Sequence, residues 1–306
     1  MIFFKRITWA FLTFSLVIAF SCNSKNDPPK DSDDPTDPID SVITTPEPTP
    51  LDSIIFTAIG DVPYNEGQRT DLIAMINTHN TKSKSEFVVH VGDIKPGADP
   101  CTEPVYKDVS EILSEFSIPT FMLLGDNEYN DCDDPISALE LWNKYFLDFH
   151  KNWTFEPTVT YQENRTENFV WSQKQVMFMG LNLVGSSAHD QEEWDTRLED
   201  NGRFLQDYVT ANADDLKALV IFGHANMVEL GPDKFEPFTD ILKSVATEFE
   251  KPILYVQGDG HFWLLNRPYD EMNILRVQVE GGATAVQITV HPDNEKPFSF
   301  DRKFLE

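Results

Sequence analysis

The stretch Phe87-Val88-Val89-His90-Val91-Gly92-Asp93-Ile94-Lys95 runs from an apolar, β-branched segment into a glycine and an acid. Its first five residues have the composition of a strand buried on both faces. The glycine frees the backbone to turn, so that the next side chain points into a crevice. The same ending recurs at Ala58-Ile59-Gly60-Asp61, Leu123-Leu124-Gly125-Asp126, Ile221-Phe222-Gly223-His224 and Val256-Gln257-Gly258-Asp259. One Gly-Asp after a strand is an ordinary turn. Five strand ends of one kind, with His261 two residues beyond Asp259, form a pattern that turns alone do not produce. In α/β sheets ligands collect at the carboxyl ends of strands. Four carboxylates converging there repel one another unless cations neutralise them. Two divalent ions balance four aspartates, with neutral imidazoles completing the shells, and oxygen-rich ligation favours Mn, Mg or Fe, with Zn also compatible.

Around these ends, short apolar runs alternate with segments of helical period, the pattern of an α/β domain. Ser53–Ile59, Phe87–Val91, Thr120–Leu124, Ala218–Phe222 and Ile253–Val256 read as buried strands. Gln68–Asn80, Pro104–Phe116, Ile136–Phe149, Glu192–Asn212 and Pro237–Phe249 read as helices. Val159–Val184 has the alternation of antiparallel strands, repeated at Phe262–Asn266, Ile274–Val279 and Val286–His291. This order suggests two sheets packed face to face with helices outside.

In order and spacing, Asp61-Val62-Pro63, Gly92-Asp93-Ile94-Lys95, Gly125-Asp126-Asn127-Glu128, Gly223-His224 and Gly258-Asp259-Gly260-His261 resemble the D-x-H, G-D, G-N-H-[DE], G-H and G-H-x-H motifs of calcineurin-like metallophosphoesterases. The resemblance spans residues 52–306. It implies a four-layer α/β/β/α sandwich of two mixed sheets. It also implies two divalent ions (Mn, Fe, Mg or Zn), one held by Asp61, Asp93 and His261, the other by Asp93, Asp126, His224 and Asp259. The activity implied is metal-dependent hydrolysis of a small phosphorylated substrate, the ions clamping the phosphoryl group and acidifying a bridging water. Asp93 and Asn127 are then the catalytic candidates, and Asn127, Lys95 and Asn65 the candidate substrate contacts.

The residues also depart from the family pattern. Pro63 stands where the family has a metal-binding histidine, and Asp126 and Asp259 replace an Asn and a His ligand by other ligating groups. Asn127 replaces the histidine beside the leaving group, and losing a general acid costs roughly 10²–10⁴-fold in rate. Good leaving groups, or His189 acting as a substitute acid, would relieve that loss. Pro63 and Asn127 favour the alternative of a weakly active or inactive metal-binding surface module. Gly-Asp-Val-Pro-Tyr, His-Val-Gly-Asp-Ile-Lys and Gly-Asp-Asn-Glu are similar to a bacterial subgroup in which such variants are the rule. A calcium-stabilised adhesion protein is a further rival, opposed by His224 and His261 because Ca²⁺ prefers oxygen.

The chain begins Met1-Ile2-Phe3-Phe4-Lys5-Arg6, continues with an apolar run from Ile7 to Phe20 and reaches Ser21-Cys22, the order of a secretory signal. Ala19-Phe20-Ser21-Cys22 resembles a bacterial lipobox, which makes residues 1–21 a lipoprotein signal peptide and Cys22 the acylated anchor in a lipid bilayer. Residues 22–51 are rich in Pro and Asp and have too little to bury to offset ordering, so they read as a disordered tether. The folded domain is 52–306. The expected location is outside the cytoplasm, lipid-anchored to a bacterial outer membrane or cell surface, with a periplasm-facing placement as the alternative. A formal charge of −27 repels polyanions and argues against nucleic acid as a partner. Cys101 and Cys132 are the cysteines left in the domain, and an oxidising compartment makes them a natural disulfide.

Overall fold

The computed structural model describes residues 53–306. The leader, Cys22 and the tether lie outside them. In chain order the first half holds β1 (Ile54–Ile59), α1 (Glu66–Lys82), β2 (Phe87–His90), α2 (Glu103–Leu113), β3 (Thr120–Met122) and α3 (Pro135–Phe146). Then come β4 (Thr160–Gln162), β5 (Arg165–Gln173), β6 (Val176–Gly180), α4 (Gln191–Asn212), β7 (Ala218–Phe222) and α5 (Glu236–Phe249). The last strands are β8 (Ile253–Gln257), β9 (Leu264–Asn266), β10 (Ile274–Gln278), β11 (Val286–Val290) and β12 (Phe298–Asp301). Among the described residues no helix is long and apolar enough to cross a membrane.

Local chemistry sets the helix starts. Asn65, Asp134 and Asp190 accept backbone N–H bonds at the N-termini of α1, α3 and α4, and prolines stand in the first turns of α2, α3 and α5. The Asn65 cap explains why α1 begins at Glu66, two residues before the apolar period becomes visible. Strand β12 escaped sequence reading because Phe298 and Phe300 are its apolar members and it pairs only with β11 at a sheet edge.

One sheet has the order β12-β11-β1-β2-β3 and the other β4-β5-β6-β7-β8-β10-β9. Both are mixed. Strands β1, β2 and β3 run parallel, with β11 antiparallel to β1, and β6, β7, β8 and β10 run parallel between antiparallel flanks. Three cores separate four layers. Leu72, Ile76, Val109, Leu113 and Trp142 of α1–α3 cover Val88 and Met122. Phe56, Phe87 and Phe121 meet Trp171, Phe178 and Phe222 between the sheets. Leu198, Leu205, Leu242 and Val245 of α4 and α5 cover Leu219 and Ile221. Strand β7 shows the period of two directly: Val220 and Phe222 face the other sheet, while Leu219 and Ile221 face the helices. The α/β/β/α expectation holds.

Register positions the site. Ile59 lies beside His90, and His90 beside Met122, so the turns after β1, β2 and β3 emerge together. Phe222 lies beside Val256 in the second sheet, which brings the β7 and β8 ends level.

His79 on α1 is buried, with its Nε2 3.0 Å from Thr57 Oγ1. Burial lowers its pKa to about 4. The fold thus favours neutral imidazole, and the unfolded chain takes up the proton first as pH falls. The resulting stability is complete above about 6.5 and is lost as pH drops towards about 4, worth about 3 kcal/mol. Urea unfolding at pH 7 and pH 4.5 should show a loss that is smaller in His79→Gln; an equal loss in both would assign it elsewhere.

Candidate metal centre

Asp61, Asp93, Asp259 and His261 take left-handed backbone angles, with φ of 53°, 63°, 72° and 57°. Such angles are uncommon outside glycine and cost about 1–3 kcal/mol each, so they persist only where neighbours hold them. Here the turns hold one another. Asp61 N–H donates to the Gly92 carbonyl and Val62 N–H to that of Asp93, both at 2.9 Å. Asp259 N–H donates to Asp61 Oδ1 at 3.0 Å. Gly92, with φ 97°, is required by packing as well, since a Cβ there would sit 2.6 Å from the Gly125 nitrogen.

The side chains form two groups that share one member. Asp61, Asp93 and His261 make the first, and Asp93, Asp126 and His224 the second; within each, the ligating atoms lie within 4.8 Å of one another. His261 Nε2 is 3.2 Å from Asp61 Oδ1. His224 Nε2 is 3.0 Å from Asp126 Oδ1 and 3.3 Å from Asp93 Oδ1. Its ring is aimed by Nδ1, which donates to the Val91 carbonyl at 2.8 Å. Asp61 Oδ2, Asp126 Oδ1 and His224 Nε2 are buried with no hydrogen-bond partner beyond the close approach of His224 and Asp126 to each other. Leaving a buried polar atom unpaired costs about 1–3 kcal/mol, more for a charge. Three such atoms turned into one crevice, in a donor set of carboxylates and imidazoles, fit divalent cations. Two clusters able to coordinate divalent ions are therefore present.

Electrostatics agree with that donor set. Burial and the neighbouring acids push Asp93 well above the usual carboxylate range, against the pull of His224. Burial also raises Asp259 and Glu128. Burial would lower His224, but Asp93 and Asp126 hold it well above the ordinary imidazole value. Burial would raise Asp126, yet the His224 imidazole holds it below its usual value. The hydrogen bond to Asp61 raises His261.

Two neighbours of the ligands carry more than their sequence signal showed. Glu128, fully buried, accepts from Gly125 N–H at 2.6 Å, Asp93 N–H at 3.2 Å and Ile94 N–H at 3.2 Å. It stitches the β2 turn to the β3 turn. Tyr64 donates from Oη to Asp93 Oδ2 at 2.5 Å and lies 3.2 Å from His261 Nε2, beside the edge of the first cluster that Pro63 leaves short. The Tyr side chain immediately after a proline at a ligand turn was its only signal.

The remaining candidates separate. Asn127 reaches the centre, where Nδ2 donates to Asp93 Oδ2 at 2.5 Å and to the Lys95 carbonyl at 3.0 Å. Asp259 lies at the rim of both groups but belongs to neither; its Oδ2 accepts from Asn226 N–H at 2.8 Å. Lys95 departs from the phosphate contact expected of it. Its ammonium is buried and donates to the carbonyls of Pro96 at 3.1 Å and Asp99 at 2.7 Å, so it braces its own loop. Asn65 likewise caps α1, its Oδ1 accepting from Gln68 N–H at 3.0 Å. His189 is exposed on a groove with Tyr129 and Ile136, and lies in neither cluster. His90 is a satisfied core histidine, accepting at Nδ1 from Gly92 N–H and meeting the Val62 carbonyl through Nε2.

Residues 54–259, more than half of the chain, match the model of the calcineurin-like phosphoesterase family. The chain belongs to that family. Among solved structures, a dimetal phosphatase from Danio rerio is similar at 12% identity with a TM-score of 0.52, over 79% of this chain and 96% of that one. GAP50, the anchor in the inner membrane complex of Plasmodium, is similar at 12% identity with a TM-score of 0.50, over 82% and 88%. Likeness at such identity concerns the fold. No curated protein matches the chain. Membership in the calcineurin-like family, with two clusters suited to a metal pair, makes this a phosphoesterase domain of the hydrolase class.

Cys101 and Cys132 form a disulfide between the loops that follow the β2 and β3 turns, with Cα atoms 5.8 Å apart and a sequence separation of 31. Loop closure of that length is worth about 3–4 kcal/mol. Replacing both cysteines with serine should lower the unfolding free energy by that much, read as a lower urea midpoint, while leaving metal content unchanged. A midpoint unmoved by the double change would deny the bridge its stabilising role.

Proposed function

We propose that this protein is an exported, lipid-anchored phosphoesterase that hydrolyses a small phosphate ester with two divalent ions (Mn, Fe, Mg or Zn). Asp61, Asp93 and His261 would hold one and Asp93, Asp126 and His224 the other, with Asp259 at the rim. The sharing of Asp93 by two ligand groups is the observation that carries the reading. Bound ions would draw in the phosphoryl dianion and acidify water for in-line attack. The chain's own residues do the positioning. Asp93 fixes the separation of the two clusters, while Asn127 and Tyr64 hold its Oδ2. Asn127 donates hydrogen bonds but supplies no proton, which points to esters with good leaving groups. The anchor and the extracytoplasmic location rest on the leader and on Cys22, supported by the disulfide.

The test uses the full chain in detergent, stripped with chelator and reloaded with Mn, Fe, Mg or Zn, on phosphate mono- and diesters. Metal-dependent turnover is expected. Tight metal binding with turnover at background would give the protein to the inactive binding-module reading, and failure to bind metal would end both. Cys22→Ala should abolish labelling by a fatty-acid probe; labelling that persists would refute the anchor.

A further inference from the structure

Next to the first cluster lies a recess of about 350 Å³, walled by Pro63, Tyr64, Ile94, Pro96 and Val105 and crossed by the Arg69–Asp108 pair. One of its wall side chains is hydrogen-bonded to a cluster carboxylate, through Tyr64 Oη on Asp93. A second wall, Ile94-Lys95, follows Asp93 directly in the chain, and the Lys95 carbonyl accepts from Asn127 at 3.0 Å. One phenol ring therefore separates the place of a phosphoryl group from the recess.

We infer that this recess receives the alcohol portion of the ester, and that this alcohol is uncharged and carries a flat apolar ring. The inference rests on the proposed phosphoesterase reading. Charge on the walls decides the class. Arg69 is bound in a fork to Asp108, at 2.8 Å from Nε and 2.6 Å from Nη2, with Glu66 3.8 Å from Nη1. Lys95 is spent on two loop carbonyls. Both cations are thus committed, and Glu66, Asp99 and Asp108 line the same space. A second phosphate or a carboxylate on the alcohol would meet net negative charge with no free donor cation to receive it. Pro63, Pro96 and Pro104, with Ile94, Val105 and Val109, instead offer rigid apolar walls, which bind a ring by burial and restrict it at little entropic cost. Phenol-class alcohols also leave without much help from an acid, which suits a centre with asparagine at position 127.

The experiment compares phenylphosphonate with methylphosphonate, two non-hydrolysable dianions that differ in the ring, by calorimetry on the Mn²⁺-loaded full chain. Wild type should bind phenylphosphonate about tenfold more tightly, the gain expected from burying part of a ring. Val105→Trp, which fills the recess from α2, should remove that preference while methylphosphonate affinity and Mn²⁺ content stay within twofold. Pro104→Phe, at an exposed position of the same rim, serves if Val105→Trp does not fold, and should reduce the preference. Equal binding of the two phosphonates by wild type, or a preference untouched in the folded variants, would overturn the inference. A phenyl preference of this kind in a protein that turns over no ester would keep the recess and refute the phosphoesterase reading instead.

Discussion

Replacing Asp93 with alanine is expected to lower turnover at least about 10³-fold and to reduce bound metal from two ions towards none. The size follows from the sharing of this carboxylate by both ligand groups. Any other ligand change leaves one three-residue group whole, whereas Asp93→Ala leaves two pairs. Removing the carboxylate also strands its partners: Asn127 and Tyr64 lose their common acceptor at Oδ2, and Asn127 N–H loses Oδ1 at 3.0 Å. Asp93→Asn keeps the volume but sets an amide N–H against Asn127, Tyr64 or His224, so it should be nearly as damaging. Metal content by elemental analysis and turnover on an aryl phosphate check both variants. Retention of two ions by Asp93→Ala would remove Asp93 from its central place.

Glu128→Ala is expected to cost about 3–5 kcal/mol of stability and to weaken metal binding about 10–100-fold. Glu128 touches neither group's ligating atoms; it acts through the backbone N–H groups of Gly125, Asp93 and Ile94. Without it, three N–H groups beside a buried turn lose their acceptor, and two ligand turns lose their common brace. Glu128→Gln retains the shape and one accepting oxygen, so it should recover part of the stability and more of the metal affinity than alanine does. Thermal unfolding and metal titration of the two variants separate this positioning role from direct ligation. A glutamine variant as damaged in metal binding as the alanine, at restored stability, would mean that the charge itself matters to the ions.

The fold was legible because its decisive signals are local and repeated. Buried strands on both faces read as continuous apolar runs, and five of them end in the same turn, so Gly60-Asp61 and Gly92-Asp93 announce both the strands and the crevice. Edge strand β12 carried no such signal, since two phenylalanines after a proline resemble a loop. Within the site, residue type told which groups are able to ligate but not where their oxygens turn. Asp259 has the right chemistry and the right turn, yet its Oδ2 is held by the Asn226 amide. Lys95 looks free in sequence because the carbonyls that bind it, at Pro96 and Asp99, belong to backbone and leave no trace in side-chain pattern. Glu128 was visible as a motif letter, but its three amide partners depend on tertiary approach of two turns. Tyr64 gained its place at Asp93 the same way, by a contact 29 residues apart.

The central claim is a pair of divalent ions bridged by Asp93. Anomalous scattering from crystals of the Mn²⁺-loaded protein tests it most directly. Two peaks are expected, one bounded by Asp61, Asp93 and His261, the other by Asp93, Asp126 and His224, with the Asp93 carboxylate touching both. A single peak, or two peaks that do not share Asp93, would contradict it.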